Sequence, residues 1–148
     1  MTYNSFDDFA KDQLRAFEEL KDVDRVLRQS LLDGLVLIKD RVQQQGAKAD
    51  NSSIGTYSKG WAKFRKSTGR QTSKIDLTNT GDMMRNFTII PDGPDALGLG
   101  FTSDLEAKKA EGNEKRYGGP IFELSNEEQR FIDTNIEKKV AVILSRIS

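Results

Sequence analysis

Apolar residues recur at helical spacing over the first 46 positions of the chain. Phe6, Phe9, Leu14, Phe17 and Leu20 form one run with a single longer step. The pattern is disturbed near Asp22 to Asp24 and then resumes with Val23, Val26, Leu27, Leu31, Leu35, Ile38 and Val42. This predicts two helices, or one bent helix, with the stripe facing a core. Ser5 followed by Asp8 reads as the N-terminal cap, with Asp7 and Asp8 near the positive end of the dipole. Gly46 reads as the C-terminal stop. Gly34, inside the pattern, is expected to let another backbone approach.

From Ala47 to Lys74 no period holds. Asn51-Ser52-Ser53, Gly55, Ser58, Gly60, Ser67 and Gly69 punctuate a segment that is long for a loop in a compact domain. Ile54, Tyr57, Trp61 and Phe64 within it argue against plain disorder, because large apolar groups pack onto something. After Gly81, Met83 to Ile90 reads as a strand and Pro91 to Asp95 as a turn. Ala96 to Phe101 reads as a second strand, with Leu97, Leu99 and Phe101 on one face and Gly98 and Gly100 on the other. The glycine face is expected to let another chain segment pass.

Ser103 with Glu106 is a capping-box pattern for a short helix over Asp104 to Glu111, ended by Gly112. Gly118-Gly119-Pro120 makes a further break, and Ile121 to Leu124 a short extended segment. Ser125 with Glu128 opens a last helix whose apolar line is Ile132, Ile136, Val140, Ile143 and Ile147. The expected fold is therefore α+β and a single domain. Residues 1–46 are helical, 47–75 form a basic loop or arm, and 76–124 hold a β-hairpin, a short helix and an extended segment. Residues 125–148 form the C-terminal helix. The long helices are expected to pack on a small antiparallel sheet, with Ile121 to Leu124 at its edge.

Composition narrows the chemistry. The 148 residues include no cysteine and no histidine, which removes disulfides, thiol nucleophiles, Cys/His zinc sites and imidazole catalysis. No apolar run is long enough to span a bilayer, and the start lacks a secretory pattern. The expectation is a protein that acts in the cytoplasm or inside something assembled there, with no membrane partner. The net charge is zero but uneven. Lys48, Lys59, Lys63, Arg65, Lys66, Arg70 and Lys74 face only Asp50 between Ala47 and Ile75, whereas the part from Asp76 onward leans acidic. Such asymmetry suggests matching between subunits, or an anionic partner for the middle segment.

Three readings stand open for the basic aromatic stretch Tyr57 to Arg70 with Lys74: an arm meeting an acidic neighbouring subunit, a solvated loop anchored by its aromatics, or nucleic-acid contact. Gly98-Leu99-Gly100 lies inside a strand, not at the strand–helix junction that phosphate binding needs. Asp76, Asp82, Asp92 and Asp95 lack the order of a calcium loop and read as turn residues. No catalytic residue, metal site or cofactor is expected.

The segment Asp76-Leu77-Thr78-Asn79-Thr80-Gly81-Asp82-Met83-Met84-Arg85-Asn86-Phe87 resembles a conserved segment of the phage virion-morphogenesis (tail-completion) family. Leu97-Gly98-Leu99-Gly100 stands where that family has an apolar–glycine strand, and Ala110-Glu111-Gly112 where it has an alanine-rich turn. Pro120-Ile121-Phe122-Glu123-Leu124-Ser125-Asn126-Glu127-Glu128 is similar to its Pro-Phe box. The helix ending in Gln43-Gln44-Gln45-Gly46, then Trp61 and the Lys/Arg-rich stretch, follow the family's order of parts. The chain departs from the pattern at Lys108-Lys109, where a His is usual, and at Gly118-Gly119, where an Arg is usual. The resemblance implies a non-enzymatic virion part at the head–tail neck, assembled in the host cytoplasm. It would be a subunit of a homo-oligomeric ring that meets neck, connector and tail-tube proteins, with non-specific DNA contact in the channel. Leu77, Thr80, Gly81, Met84, Arg85, Gly98, Gly100, Pro120, Phe122, Leu124 and Ser125 are then structural positions. A tail-terminator or other neck ring protein, and a small nucleic-acid-binding regulator, are the alternatives.

Overall fold

The computed structural model describes residues 6–94 and 96–146, with Phe6 as backbone only. The proposed cap at Ser5, the side chain of Phe6, the turn residue Asp95 and the end of the apolar line at Ile147 lie outside the described residues. The fold is α+β. In chain order the elements are α1 (Phe6–Asp40), a π-helical turn (Arg41–Gln45), α2 (Lys59–Ser67), α3 (Asp82–Asn86), β1 (Phe87–Pro91), β2 (Leu97–Phe101), α4 (Asp104–Tyr117) and α5 (Asn126–Ser145). The chain divides into two compact units, Met1–Ser30 with Arg130–Ser148, and Leu31–Gln129.

The larger unit, residues 31–129, holds the hydrophobic core. Leu35, Ile38 and Val42 meet Ile54, Ile75, Met83, Met84, Phe87, Ala110 and Ile121 there. The first helical pattern ends as expected: Gly46 turns left-handed at φ 62°, and a Cβ there would lie 2.9 Å from the Ile75 carbonyl oxygen. β1 and β2 pair antiparallel, with Phe87 opposite Phe101 and Ile90 opposite Gly98. Phe87, Phe101 and Phe122 form a three-ring cluster with centroids 5.1–5.6 Å apart.

Several sequence expectations change. Residues 83–86 are helical, not the start of a strand. Met83 and Met84 are both buried, which consecutive strand residues on opposite faces of this small sheet would not achieve. Residues 59–67, expected as loop, form α2, with the Ser58 hydroxyl accepting a hydrogen bond from the Trp61 amide. Gly112 does not end its helix. α4 runs on to Tyr117, and Gly118 supplies the left-handed cap at φ 75°. The glycine face of β2 admits side chains of its own hairpin: a Cβ on Gly100 would lie 2.3 Å from Ile90 Cδ1, and one on Gly98 3.4 Å from Asp92. Gly34 likewise lies under the side chains of Leu124 and Leu99, not under a backbone.

Ile121 to Leu124 does not join the sheet, which has two strands among the described residues. Two of its carbonyls are taken instead by Arg41, whose guanidinium donates to the oxygens of Ile121 (3.2 Å) and Glu123 (2.6 Å), to the Ala47 oxygen and to Glu128 (2.6 Å). Glu128 also closes the predicted box with Ser125, whose hydroxyl accepts from the Glu128 amide at 3.1 Å.

The smaller unit consists of the first part of α1 and most of α5. Arg146 lies 3.7 Å from Glu19, and Ile132, Ile143 and Ser30 are buried. Phe9, Leu14, Phe17, Leu20 and Leu27, expected to face a core, are 40–66% exposed. Two helical stretches give each other one seam to bury, and Val23 and Val26, half-buried, occupy it on α1.

Candidate functional site

The basic aromatic stretch divides into an inward and an outward set. Arg65 points in and is 2% exposed. It contacts both carboxylate oxygens of Asp76 at 3.3 Å and donates to the Gln71 and Thr78 carbonyls. Its guanidinium lies 4.4 Å from the centre of the Tyr57 ring. Tyr57 donates its hydroxyl proton to Asp76 at 2.8 Å and accepts from the Asp76 amide. Gln71 donates to the second carboxylate oxygen at 2.8 Å, and the Thr78 amide to the first at 3.0 Å. Asp76 thus has every acceptor position engaged, as a buried carboxylate requires. Burial pushes the Tyr57 phenol up to about 12.

This network fixes the start of the family-like segment. Leu77 is held left-handed at φ 53°, a costly conformation for a residue other than glycine. Gly81 follows at φ 87° before α3. Arg85 donates to the Thr80 carbonyl and pairs with Asp82. The Thr80 hydroxyl and then Arg85 hold the Asp82 carboxyl below its ordinary value.

The outward set is exposed. Lys59, Lys63 and Lys66 follow each other at helical steps and share one face of α2; neither they nor Arg70, which is half-buried and donates to the Thr68 hydroxyl, have an ion-pair partner among the described residues. Trp61 and Phe64, 40% and 45% exposed, stack on one another at 4.9 Å. Beside them a cleft of about 610 Å³ runs between Trp61, the turn Leu77–Asp82 and one face of α4, bearing Lys109, Asn113 and Arg116. A second hollow of about 430 Å³ continues past Tyr57, Trp61, Arg116 and Tyr117. Lys74 is half-buried beneath the Gly46 turn.

The other family-like positions build the core and its joints. Met84 is 2% exposed, Phe122 completes the aromatic cluster and Leu124 covers Gly34. The Pro120 carbonyl accepts from the Ala49 amide, and Glu114 accepts from the amides of Ile121 and Phe122. Sequence reasoning missed Arg41 and Asp76 as buried hubs. Arg41 and Glu128 are 87 positions apart, and no local period signals such a pairing.

No helix among the described residues is long and apolar enough to cross a membrane. Comparison with protein families, curated proteins and solved structures finds no match to this chain.

Proposed function

We propose that the chain is a structural assembly subunit. More specifically, it is a virion protein of a tailed phage or prophage that completes the head-proximal end of the tail and helps join tail to head as part of a ring. The observation that carries the assembly role is the run of exposed apolar side chains on the smaller unit. Phe9, Leu14, Phe17, Leu20 and Leu27 on α1 and Phe131, Val142 and Leu144 on α5 all stand at 40% exposure or more. Such a concentration marks surface that a partner covers. The ordered likeness of residues 76–128 to the tail-completion pattern supplies the specific setting, and the burial of Met84 and Ser125 and the packing of half-buried Phe122 on the core agree with a structural reading of that pattern. Deleting the gene from the parent phage is expected to leave filled heads and separate tails that do not join. Normal infectious particles would overturn the proposal.

A second reading is favoured by one observation, the row of exposed α2 lysines that have no ion-pair partner among the described residues, on a helix whose other side carries the exposed Trp61–Phe64 stack. Cations on phosphates and rings on bases would suit a small nucleic-acid-binding protein. Tight DNA binding with a steep salt dependence, lost on substituting Lys59, Lys63 and Lys66 by Ala, would favour it. Arg65 does not belong in that test, because it is buried against Asp76.

A further inference from the structure

The cleft beside α2 collects side-chain groups that the larger unit leaves unused. Trp61, Arg116 and Tyr117 line both the cleft of about 610 Å³ and the hollow of about 430 Å³ that continues it, so they stand where the two meet. Phe64 stacks on the indole at 4.9 Å but lines neither space, which leaves to the cleft the part of the ring that Phe64 does not cover. The indole N–H, the Tyr117 hydroxyl and the Asn79 amide have no hydrogen-bond partner among the described residues. Asn113 donates its Nδ2 to the Lys109 carbonyl and keeps its Oδ1 uncommitted.

Charge divides the cleft into two ends. Lys109 and Arg116 lie on one face of α4, about 10 Å apart by helical rise. At the first end the charge is met: Lys109 pairs with Glu106 at 3.0 Å and stands near the Asp82 carboxylate. At the other end Arg116 lies 5.5 Å from the centre of the Tyr117 ring and has no carboxylate partner among the described residues. An anion entering the cleft therefore settles at Arg116, between the rings of Trp61 and Tyr117, and not at Lys109.

We infer that this cleft binds a nucleoside phosphate, either free or as the unpaired end of a strand. The base lies against the indole, a contact that suits any base because every base has a flat face. The phosphate takes the Arg116 guanidinium, whose planar fork of donors matches its oxygens, and the Tyr117 hydroxyl. The Asn79 amide and the Asn113 oxygen supply a donor and an acceptor to the edge of the base, as a side-chain amide does well. The volume falls in the range of small-molecule sites. An inorganic anion would leave the ring wall and both amides unused, and an uncharged ring would leave Arg116 unused. Lys59, Lys63 and Lys66 line neither space, so the site is separate from the lysine row and rests on neither reading of the function above.

The test follows the emission of Trp61, the sole tryptophan, in the full chain. Adenosine, guanosine and uridine monophosphates are titrated in turn, beside the unphosphorylated nucleosides and inorganic phosphate. At least one monophosphate is expected to quench Trp61 saturably, with its nucleoside and phosphate alone each weaker by about tenfold or more, since each forfeits one half of the contacts. Arg116→Gln, at an exposed position, is expected to weaken binding by about tenfold with unchanged circular dichroism. Arg116→Lys, which keeps the charge and loses the fork, is expected to fall between, and it serves if the first variant fails to fold. Asn79→Ala is expected to narrow the differences among bases, and Lys59→Ala/Lys63→Ala/Lys66→Ala to bind as the wild type does. A terminally phosphorylated single strand distinguishes the sources. Binding tighter than the free monophosphate and equally sensitive to Arg116→Gln identifies a strand end, and weaker binding identifies the free nucleotide. The absence of saturable quenching by every monophosphate overturns the site. So does an equal response to inorganic phosphate alone, or binding that survives Arg116→Gln and is lost in the lysine variant.

Discussion

Arg65 sits among seven other charged residues of the basic segment and looks no different from Lys63 or Lys66 in the sequence. In the fold it is a buried cation with a buried partner. Arg65→Ala leaves the Asp76 carboxylate without its charge partner, which typically costs about 3–5 kcal/mol when a buried pair is broken. Lys63→Ala, on the exposed face, is expected to stay within about 0.5 kcal/mol of wild type. Urea unfolding of the two variants checks the contrast, and equal effects would contradict the division of the segment. Tyr57 offers a second check. Its proton is held more tightly in the folded chain, with the phenol at about 12 against an ordinary value of 10.0. Deprotonation therefore favours unfolding, and the stabilisation is complete below about pH 10 and lost as the pH rises toward 12. Unfolding free energy measured across that window should fall in the wild type and fall less in Tyr57→Phe.

At the scale of elements, caps were legible and lengths were not. The Ser103–Glu106 and Ser125–Glu128 patterns mark true helix starts, because a cap is a local hydrogen bond between neighbours in sequence. Helix ends depended on which glycine turned left-handed. Gly112 and Gly118 read alike in sequence, yet Gly118 is the one that turns. Gly112 is exposed inside α4 with nothing within 4 Å of where a Cβ would stand. Gly112→Ala is thus expected to stabilise the protein by about 0.8–1 kcal/mol through helix propensity, seen as a raised thermal midpoint. A helix-terminating Gly112 would give the opposite sign. α2 escaped notice because its Gly60 and its cations hide the one inward position, Arg65, that a hydrophobic period cannot register.

At the scale of the whole molecule, the apolar pattern of α1 carries two meanings that periodicity does not separate. Leu35, Ile38 and Val42 enter the core of the larger unit, while Phe9, Leu14, Phe17 and Leu20, at the same kind of spacing, remain exposed. The sequence reading assigned both to a core. The structure leaves the second group at the surface, which is why Leu14→Gln/Phe17→Gln is expected to leave the circular dichroism and the thermal midpoint near those of the wild type.

The sequence by itself determined the α+β class, the presence of a hairpin though not the start of its first strand, the caps at Ser103 and Ser125, the end at Gly46 and the basic character of residues 47–75. Each of these follows from interactions between near neighbours or from charge that can be counted. Only the tertiary structure decided that Arg41 and Arg65 are buried, that Ile121 and Glu123 give their carbonyls to Arg41 and not to a strand, and that the first apolar stripe of α1 is surface. These depend on which groups meet across dozens of positions, and on how much apolar surface a two-helix unit can cover, neither of which is written in local order.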